Sequence, residues 1–237
     1  MKKYTKQISI IISGYNEENY IVKTVAKFYR VLKNSKIKFE LLVFDDGSKD
    51  NTYHLLLKNF NKIKYIKIYK NKKNMGLGFT LKKGSKYAKY DKVTLFPGDN
   101  SYKEEGIKNL IKNLNKDILL IGYRKNYIEV CPFHRKISSI ALRILSVFFL
   151  KKFLKDVHGP VIYDRKILNK YKLKSLRYNY SIELLYLFLK IKKKYKYVPY
   201  TISKQTILNS GAFKLKNIFE ILKTIFYLLK KDKFIIS

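Results

Sequence analysis

The chain has 237 residues and only 17 Asp and Glu among 52 Lys and Arg, so the positions of its carboxylates are informative. Several fall where apolar runs stop. Glu17 and Glu18 follow the run at 8–13, Asp45 and Asp46 follow 39–44, and Asp99 follows 93–96. Carboxylates gathered at the ends of neighbouring strands can accept hydrogen bonds from a ribose and a base. They can also hold a divalent ion against a diphosphate. Asp, Asn and Gly equally make turns and helix caps. It is the joint occurrence of these groups on one framework that favours a polar crevice.

The framework is legible as alternating elements. Residues 8–13 form a continuous apolar run, as in a strand covered on both faces. Residues 21–32 carry Ile21, Val22, Val25, Phe28, Val31 and Leu32 at helical spacing. A second strand is expected at 39–44, and Asp50 or Asn51 can cap a helix through 55–57. Residues 63–69 alternate apolar side chains with Lys, which predicts a half-exposed or edge strand. A helix at 76–88, a strand at 93–96, a helix at 104–114 and a strand at 118–121 follow. Strands alternating with helices imply right-handed crossovers and an α/β fold with a mostly parallel sheet. Ligands in such sheets bind beyond the carboxyl ends of the strands.

The second half reads differently. Residues 133–154 predict a long amphipathic helix with Ile137, Ile140, Ala141, Ile144, Leu145, Phe148 and Phe149 on its apolar side. Further helices are expected at 181–191 and 215–229, with a strand around 197–202 between them. There are no repeats and no Pro- or Gly-rich linker, so residues 1–237 are expected to pack as a single domain.

The formal charge of +35 fits three situations. A basic face can bind nucleic acid, an anionic membrane attracts each nearby Lys or Arg by roughly 1 kcal/mol, and composition can drift towards Lys. The cations form no stripe interleaved with aromatic platforms. The acidic residues also converge where phosphate would be repelled without a metal, which argues against a nucleic-acid partner. Cys131 is the only cysteine, which excludes an internal disulfide and a Cys-cluster zinc site. The basic start before residues 8–12 mimics a signal peptide, but its apolar run is short and leads into Asn16-Glu17-Glu18. No stretch reaches the roughly 20 uncharged apolar residues that span a bilayer. A cytoplasmic protein, peripheral on the cytoplasmic face of the membrane, is expected.

Several segments carry a family resemblance. Asp45-Asp46-Gly47-Ser48-Lys49-Asp50-Asn51-Thr52 matches an Asp-Asp-Gly-Ser-x-Asp-x-Thr turn. Ser13-Gly14-Tyr15-Asn16-Glu17-Glu18 is similar to a Pro-x-Tyr-Asn-Glu opening, and Asn74-Met75-Gly76-Leu77-Gly78 to an Asn-x-Gly-x-(Gly/Ala) segment. These are motifs of glycosyltransferase family 2, inverting enzymes with the GT-A fold. Within it the chain resembles the polyprenyl-phosphate hexosyltransferases, which are dolichol-phosphate mannose synthase-like, over about residues 7–215. The resemblance implies a nucleotide-sugar-binding half at 1–122 and an acceptor- and membrane-facing half at 123–237, where the C-terminal amphipathic helices lie on the acceptor side.

By the same resemblance, Tyr15, Glu17, Asp45, Asp46 and Gly76 bind the donor. Asp99 matches the second carboxylate of the family's Asp-x-Asp, while Pro97 occupies the first position. One carboxylate, phosphate oxygens and water can still hold Mg2+ or Mn2+. Gly122-Tyr123-Arg124 looks like the family's Gly-x-Arg, and Asp156-Val157-His158-Gly159-Pro160 like its acceptor-side segment. Arg135 and Ser139, four residues apart, share a helix face suited to an acceptor phosphate, and Glu183 is expected near the acceptor. Gln205 stands where the family carries Arg, which leaves Lys204 or Lys214 for the diphosphate lid.

The implied reaction is inverting transfer of a hexose from a UDP- or GDP-sugar to a polyprenyl phosphate. Asp99, Arg124 and Asp156 are its catalytic candidates, and Asp156 acts as general base where the acceptor is a hydroxyl. Transfer to a sugar hydroxyl of a surface polysaccharide, and a non-catalytic basic module binding nucleotide or nucleic acid, are the alternatives.

Overall fold

The computed structural model describes residues 6–133, 136, 137, 140, 143, 144, 153–177, 179–191, 194–202, 223, 224 and 227. In chain order the elements are β1 (Gln7–Gly14), α1 (Ile21–Lys33), β2 (Lys38–Asp45), α2 (Thr52–Phe60), β3 (Ile66–Lys70), α3 (Leu77–Tyr87) and β4 (Lys92–Pro97). Then come α4 (Glu104–Lys112), β5 (Leu119–Arg124), α5 (Tyr127–Val130), β6 (Val161–Asp164), α6 (Arg165–Lys170), α7 (Tyr180–Ile191) and β7 (Tyr195–Tyr200).

The strands form one seven-stranded sheet in the order β3-β2-β1-β4-β6-β5-β7. β1 runs parallel to β2 and β4, β2 to β3, and β5 to β7, whereas β6 is antiparallel to both its neighbours. This is the mostly parallel sheet expected from the alternation of elements. Register aligns the strand ends that matter: Gly14 lies beside Asp45, and Ser13 beside Pro97. The chain therefore leaves β1, β2 and β4 side by side. β4 and β6 share only the pairs Lys92–Asp164 and Val93–Tyr163, reinforced by a buried ion pair of 2.6 Å between Lys92 Nζ and Asp164 Oδ1.

Successive side chains of a strand point to opposite faces, so the Ile run of β1 feeds two cores. Ile8, Ile10 and Ile12 pack beneath α1, α2 and α4 with Val25, Phe28, Leu56 and Leu110. Ile11 faces the other way, with Leu42 and Phe44, against Leu81 of α3, Leu168 of α6 and Leu184 of α7. Phe28 and Phe96 are fully buried with ring centroids 4.7 Å apart. Truncating either to Ala should cost about 3–5 kcal/mol.

Departures from the sequence-based expectations are local. β3 starts at Ile66 because residues 63–66 form a turn, in which Ile66 N–H donates to the Ile63 carbonyl. It is an edge strand, as its alternation implied. β6 and α6 were not anticipated: four residues, Val-Ile-Tyr-Asp, are too few to display a period. Within the predicted helix 133–154, residues 133, 136, 137, 140, 143 and 144 are helical, and most of 215–229 lies outside the described residues. Among the described residues, no helix is long and apolar enough to cross a membrane.

Candidate active site

The loops leaving β1 and β2 are laced together. Asn16 N–H donates to Ser48 Oγ (2.9 Å) and Lys49 N–H to Asn16 Oδ1 (2.9 Å). Glu17 N–H donates to Thr52 Oγ1 (2.8 Å), Glu18 N–H to Asp50 Oδ2 (3.1 Å), and Asn51 N–H to Glu18 Oε2 (3.0 Å). Asn16 takes φ 56°, a left-handed conformation that Asn tolerates better than most residues. Ser48, Asp50 and Thr52 of the acidic turn thus brace the neighbouring loop, leaving Tyr15 at the surface with 39% of its area exposed.

The two Asp residues of that turn differ. Asp46 is filled: Oδ1 accepts from Asn71 Nδ2 (2.8 Å) and Met75 N–H (3.1 Å), and Oδ2 from Gly76 N–H (2.8 Å). Its carboxylate fixes the Gly-rich segment ahead of α3. Gly76 has φ 91°, and a Cβ there would lie 2.7 Å from the Leu176 carbonyl oxygen. Asp45 is fully buried, and its Oδ1 accepts from Ser48 N–H (3.0 Å). Its Oδ2 has no partner among the described residues. A buried carboxylate oxygen left open beside the strand ends is an acceptor in waiting. Asn71, which also accepts from Lys83 Nζ (2.8 Å), belongs to this cluster and gave no signal in the sequence.

Beyond β4 the chain turns on Gly98, whose N–H donates to the Ser13 carbonyl and whose carbonyl accepts from Thr24 Oγ1, both at 2.8 Å. Asp99 Oδ1 accepts from Ser101 N–H (3.1 Å), and Lys27 Nζ donates to Asn100 Oδ1 (2.6 Å) and the Tyr102 carbonyl (2.8 Å). Burial raises the pKa of Asp99 above the ordinary carboxylate range. Glu17 is pushed up to about 7, first by burial and then by repulsion from Asp99 and Asp50. The ends of β1 and β4 therefore bring two carboxylates into conflict, and a cation beside Asp99 would relieve it. The described residues contain no group of three or more His, Cys, Asp or Glu suited to a metal. The donor set fits an ion that takes its remaining ligands from substrate oxygens and water.

On the other side of the sheet, Arg124 at the end of β5 grips Asp156. Its Nε–H donates to Oδ2 and its Nη2 to Oδ1, both at 2.7 Å. Asp156 also accepts from Arg124 N–H (3.2 Å) and His158 N–H (3.0 Å) and is 2% exposed. Burial opposes its ionisation, but the Arg124 charge and hydrogen bonds outweigh that and hold its pKa below the usual value. The guanidinium lies 4.1 Å from the Tyr127 ring centroid. His158, with Nδ1 3.2 Å from Ser181 Oγ, is lowered to about 4 by burial and then by the Arg124 charge. A Cβ at Gly159 would sit 1.9 Å from the Gly122 carbonyl oxygen, so only glycine allows this loop to cross β5.

Glu183, the acceptor-side candidate, is wholly buried in α7 with both carboxylate oxygens occupied by the loop at 171–175. Arg135, Ser139, Lys204, Gln205 and Lys214 lie outside the described residues.

The family model for glycosyl transferase family 2 matches residues 9–177, which hold the ends of β1, β2 and β4 and the Arg124–Asp156 pair. The chain belongs to this family. It is 29% identical over 168 residues to the dolichyl-phosphate beta-glucosyltransferase ALG5D of Trichomonas vaginalis, covering 64% of this chain and 49% of that protein. The human dolichyl-phosphate beta-glucosyltransferase is 28% identical over 211 residues, covering 79% of this chain and 65% of that protein. The chain thus spans about half of one of these relatives and just under two thirds of the other. Glucosyl-3-phosphoglycerate synthase from Mycobacterium tuberculosis, solved with Mn2+, UDP and phosphoglyceric acid, has a TM-score of 0.71 at 18% identity. That likeness covers 94% of this chain and 78% of that one, and it shows the GT-A fold.

Proposed function

We propose that the chain is an inverting glycosyltransferase that moves a hexose from a UDP- or GDP-sugar to a polyprenyl phosphate at a membrane surface. The observation that carries the acceptor class is the Arg124–Asp156 pair. A hydroxyl acceptor needs a base to take its proton in the transition state. Asp156, the acceptor-side candidate, is buried, doubly bonded to a guanidinium and held at low pKa, which makes it a poor base. A phosphate acceptor is ionised at neutral pH and needs positioning only. The names of the ALG5D and human relatives point to the same acceptor class.

On the donor side, Tyr15 offers a ring to the base, and the open Oδ2 of Asp45 accepts from the nucleoside. Asp46 and Gly76 shape the floor, and Glu17 is near enough to Asp99 to feel its charge. Asp99 is the residue to hold Mg2+ or Mn2+, with Glu17 facing it; when bound, the ion supplies positive charge against the leaving diphosphate. Arg124 keeps Asp156 ionised, and Arg135 and Ser139, one helical turn apart in sequence, are the candidates to hold the acceptor phosphate.

Residues 1–122 serve the donor and 123–237 the acceptor and the membrane, within one domain. Phe133, Ile137, Ile140 and Ile144 are each more than half exposed and recur at helical spacing. From 130 to 155 the sequence has six Lys and Arg and no acidic residue. An apolar stripe in a cationic segment suits an anionic bilayer interface.

The direct test incubates the purified chain with Mn2+, a panel of UDP- and GDP-sugars, and either a short-chain polyprenyl phosphate or a glycan. Product on the lipid phosphate is expected. Transfer to the glycan alone overturns the acceptor assignment. A chain that binds no donor, with Asp99→Ala inert, overturns the enzyme.

A further inference from the structure

The loop between α6 and α7 touches both the carboxylate of Glu183 and the glycine segment at the start of α3. Glu183 Oε1 accepts from Tyr171 Oη (2.8 Å) and Lys174 N–H (3.0 Å), and Oε2 from Ser175 N–H (2.7 Å). A fully buried carboxylate that receives two consecutive backbone amides fixes their peptide planes, because charge-assisted bonds are short and directional in a dry site.

The next residue reaches across to α3. Phe79 N–H donates to the Leu176 carbonyl (3.1 Å). A Cβ at Gly78 would lie 2.6 Å from the Ser175 carbonyl oxygen, and one at Gly76 2.7 Å from that of Leu176. The loop therefore lies directly on the glycine segment with no room between them. On its other side that segment is tied to Asp46 through the amides of Met75 and Gly76. Two carboxylates, from β2 and α7, hold one segment from opposite sides.

We infer that Glu183 is a positioning residue for the donor site, setting residues 76–79 through the loop at 174–176. This assigns it to the nucleotide and not to the acceptor, and it rests on the donor reading proposed above. A purely structural Glu183 would lower stability when changed and leave the ratio of donor to acceptor affinity alone. A positioning Glu183 changes that ratio.

The test uses the full chain carrying Glu183→Gln, which keeps the volume and removes the charge. Backbone amide exchange across 74–81 should accelerate about tenfold, while amides of β1 and α1 keep wild-type rates. UDP or GDP binding in Mn2+ should weaken by about tenfold, the range of lost second-layer support, with the KM for polyprenyl phosphate within about twofold. Tyr171→Phe removes one of the three donors and should move both readouts the same way by less. It also serves if Glu183→Gln does not fold. Unchanged exchange at 74–81 in a folded variant, or a change in acceptor KM alone, overturns the inference. If the wild-type chain binds neither nucleotide, the donor reading fails, and the exchange pattern still decides whether Glu183 sets the segment.

Discussion

Two regions of this molecule use carboxylates in opposite ways. At the ends of β1, β2 and β4, Glu17, Asp45 and Asp99 are left with unmet electrostatic demands: a pKa raised to about 7, an open buried oxygen, and a burial-raised pKa. Asp156, beside the end of β5, and Glu183 of α7 are instead satisfied within the chain, one by a guanidinium and the other by a hydroxyl and two amides. Unmet demand marks where a ligand contributes; satisfied demand marks where the fold spends a charge on its own geometry. Asp46 is the exception at the ends of β1, β2 and β4, and it is also the residue that anchors backbone there.

The contrast can be broken by mutation, and Asp99→Ala should do most. Removing the carboxylate proposed to hold the ion should cut transfer by roughly 10³-fold, the loss expected for several kcal/mol of charge stabilisation. Steady-state rates with Mn2+ check it, and the melting temperature should hardly move.

Asp156→Ala should show the converse, a loss of stability first. Taking one partner from a buried pair leaves a charge uncompensated and costs about 3–5 kcal/mol. Urea midpoints should reveal that loss, and replacing Arg124 as well should recover part of it. Equal destabilisation by Asp99→Ala would erase the distinction between the two regions.

A smaller effect is expected outside the sheet. Ile137→Ser with Ile144→Ser should lower partition into anionic vesicles about tenfold by removing apolar area, with UDP binding unchanged. Flotation against neutral vesicles separates the apolar contribution from the charge.

The smallest effect is a pH signature in metal-free protein. Glu17, raised from 4.5 to about 7 in the fold, contributes stability that is present below 4.5 and lost as pH rises through 7. His158, lowered from 6.5 to about 4, contributes stability present above 6.5 and lost as pH falls through 4. The windows overlap and the slopes oppose, so stability should vary little between about pH 4.5 and 6.5. Glu17→Gln should leave a curve that rises with pH in that window, and His158→Asn one that falls.

The ends of β1, β2 and β4 were legible because their information is local. An apolar run that ends in Asp-Asp-Gly-Ser, or in Gly-Asp-Asn, states both a strand and what lies at its end. Even the edge position of β3 was written in its Lys alternation. The other side is built by a contact distant in sequence: Arg124 meets Asp156 32 residues away. No spacing rule shows which carboxylate such a partner will consume. Glu183 read as a helix carboxylate near the acceptor, and no spacing showed that it also closes a loop eight residues before it. β6 failed for a different reason, since four residues carry too little pattern to separate strand from coil.

The narrow ladder between β4 and β6 has a mechanical meaning. Eight residue pairs join β1 to β2 and five join β1 to β4, but only two join β4 to β6 and two join β6 to β5. A plate with that profile flexes where its cross-section is smallest. Lys82 stitches α3 to the carbonyls of Leu168, Asn169 and Tyr171, bracing one face of the joint. β6, held by two pairs on either side, is thus the seam of this sheet with the fewest ladder bonds, and Lys82 supplies from α3 what the ladder lacks.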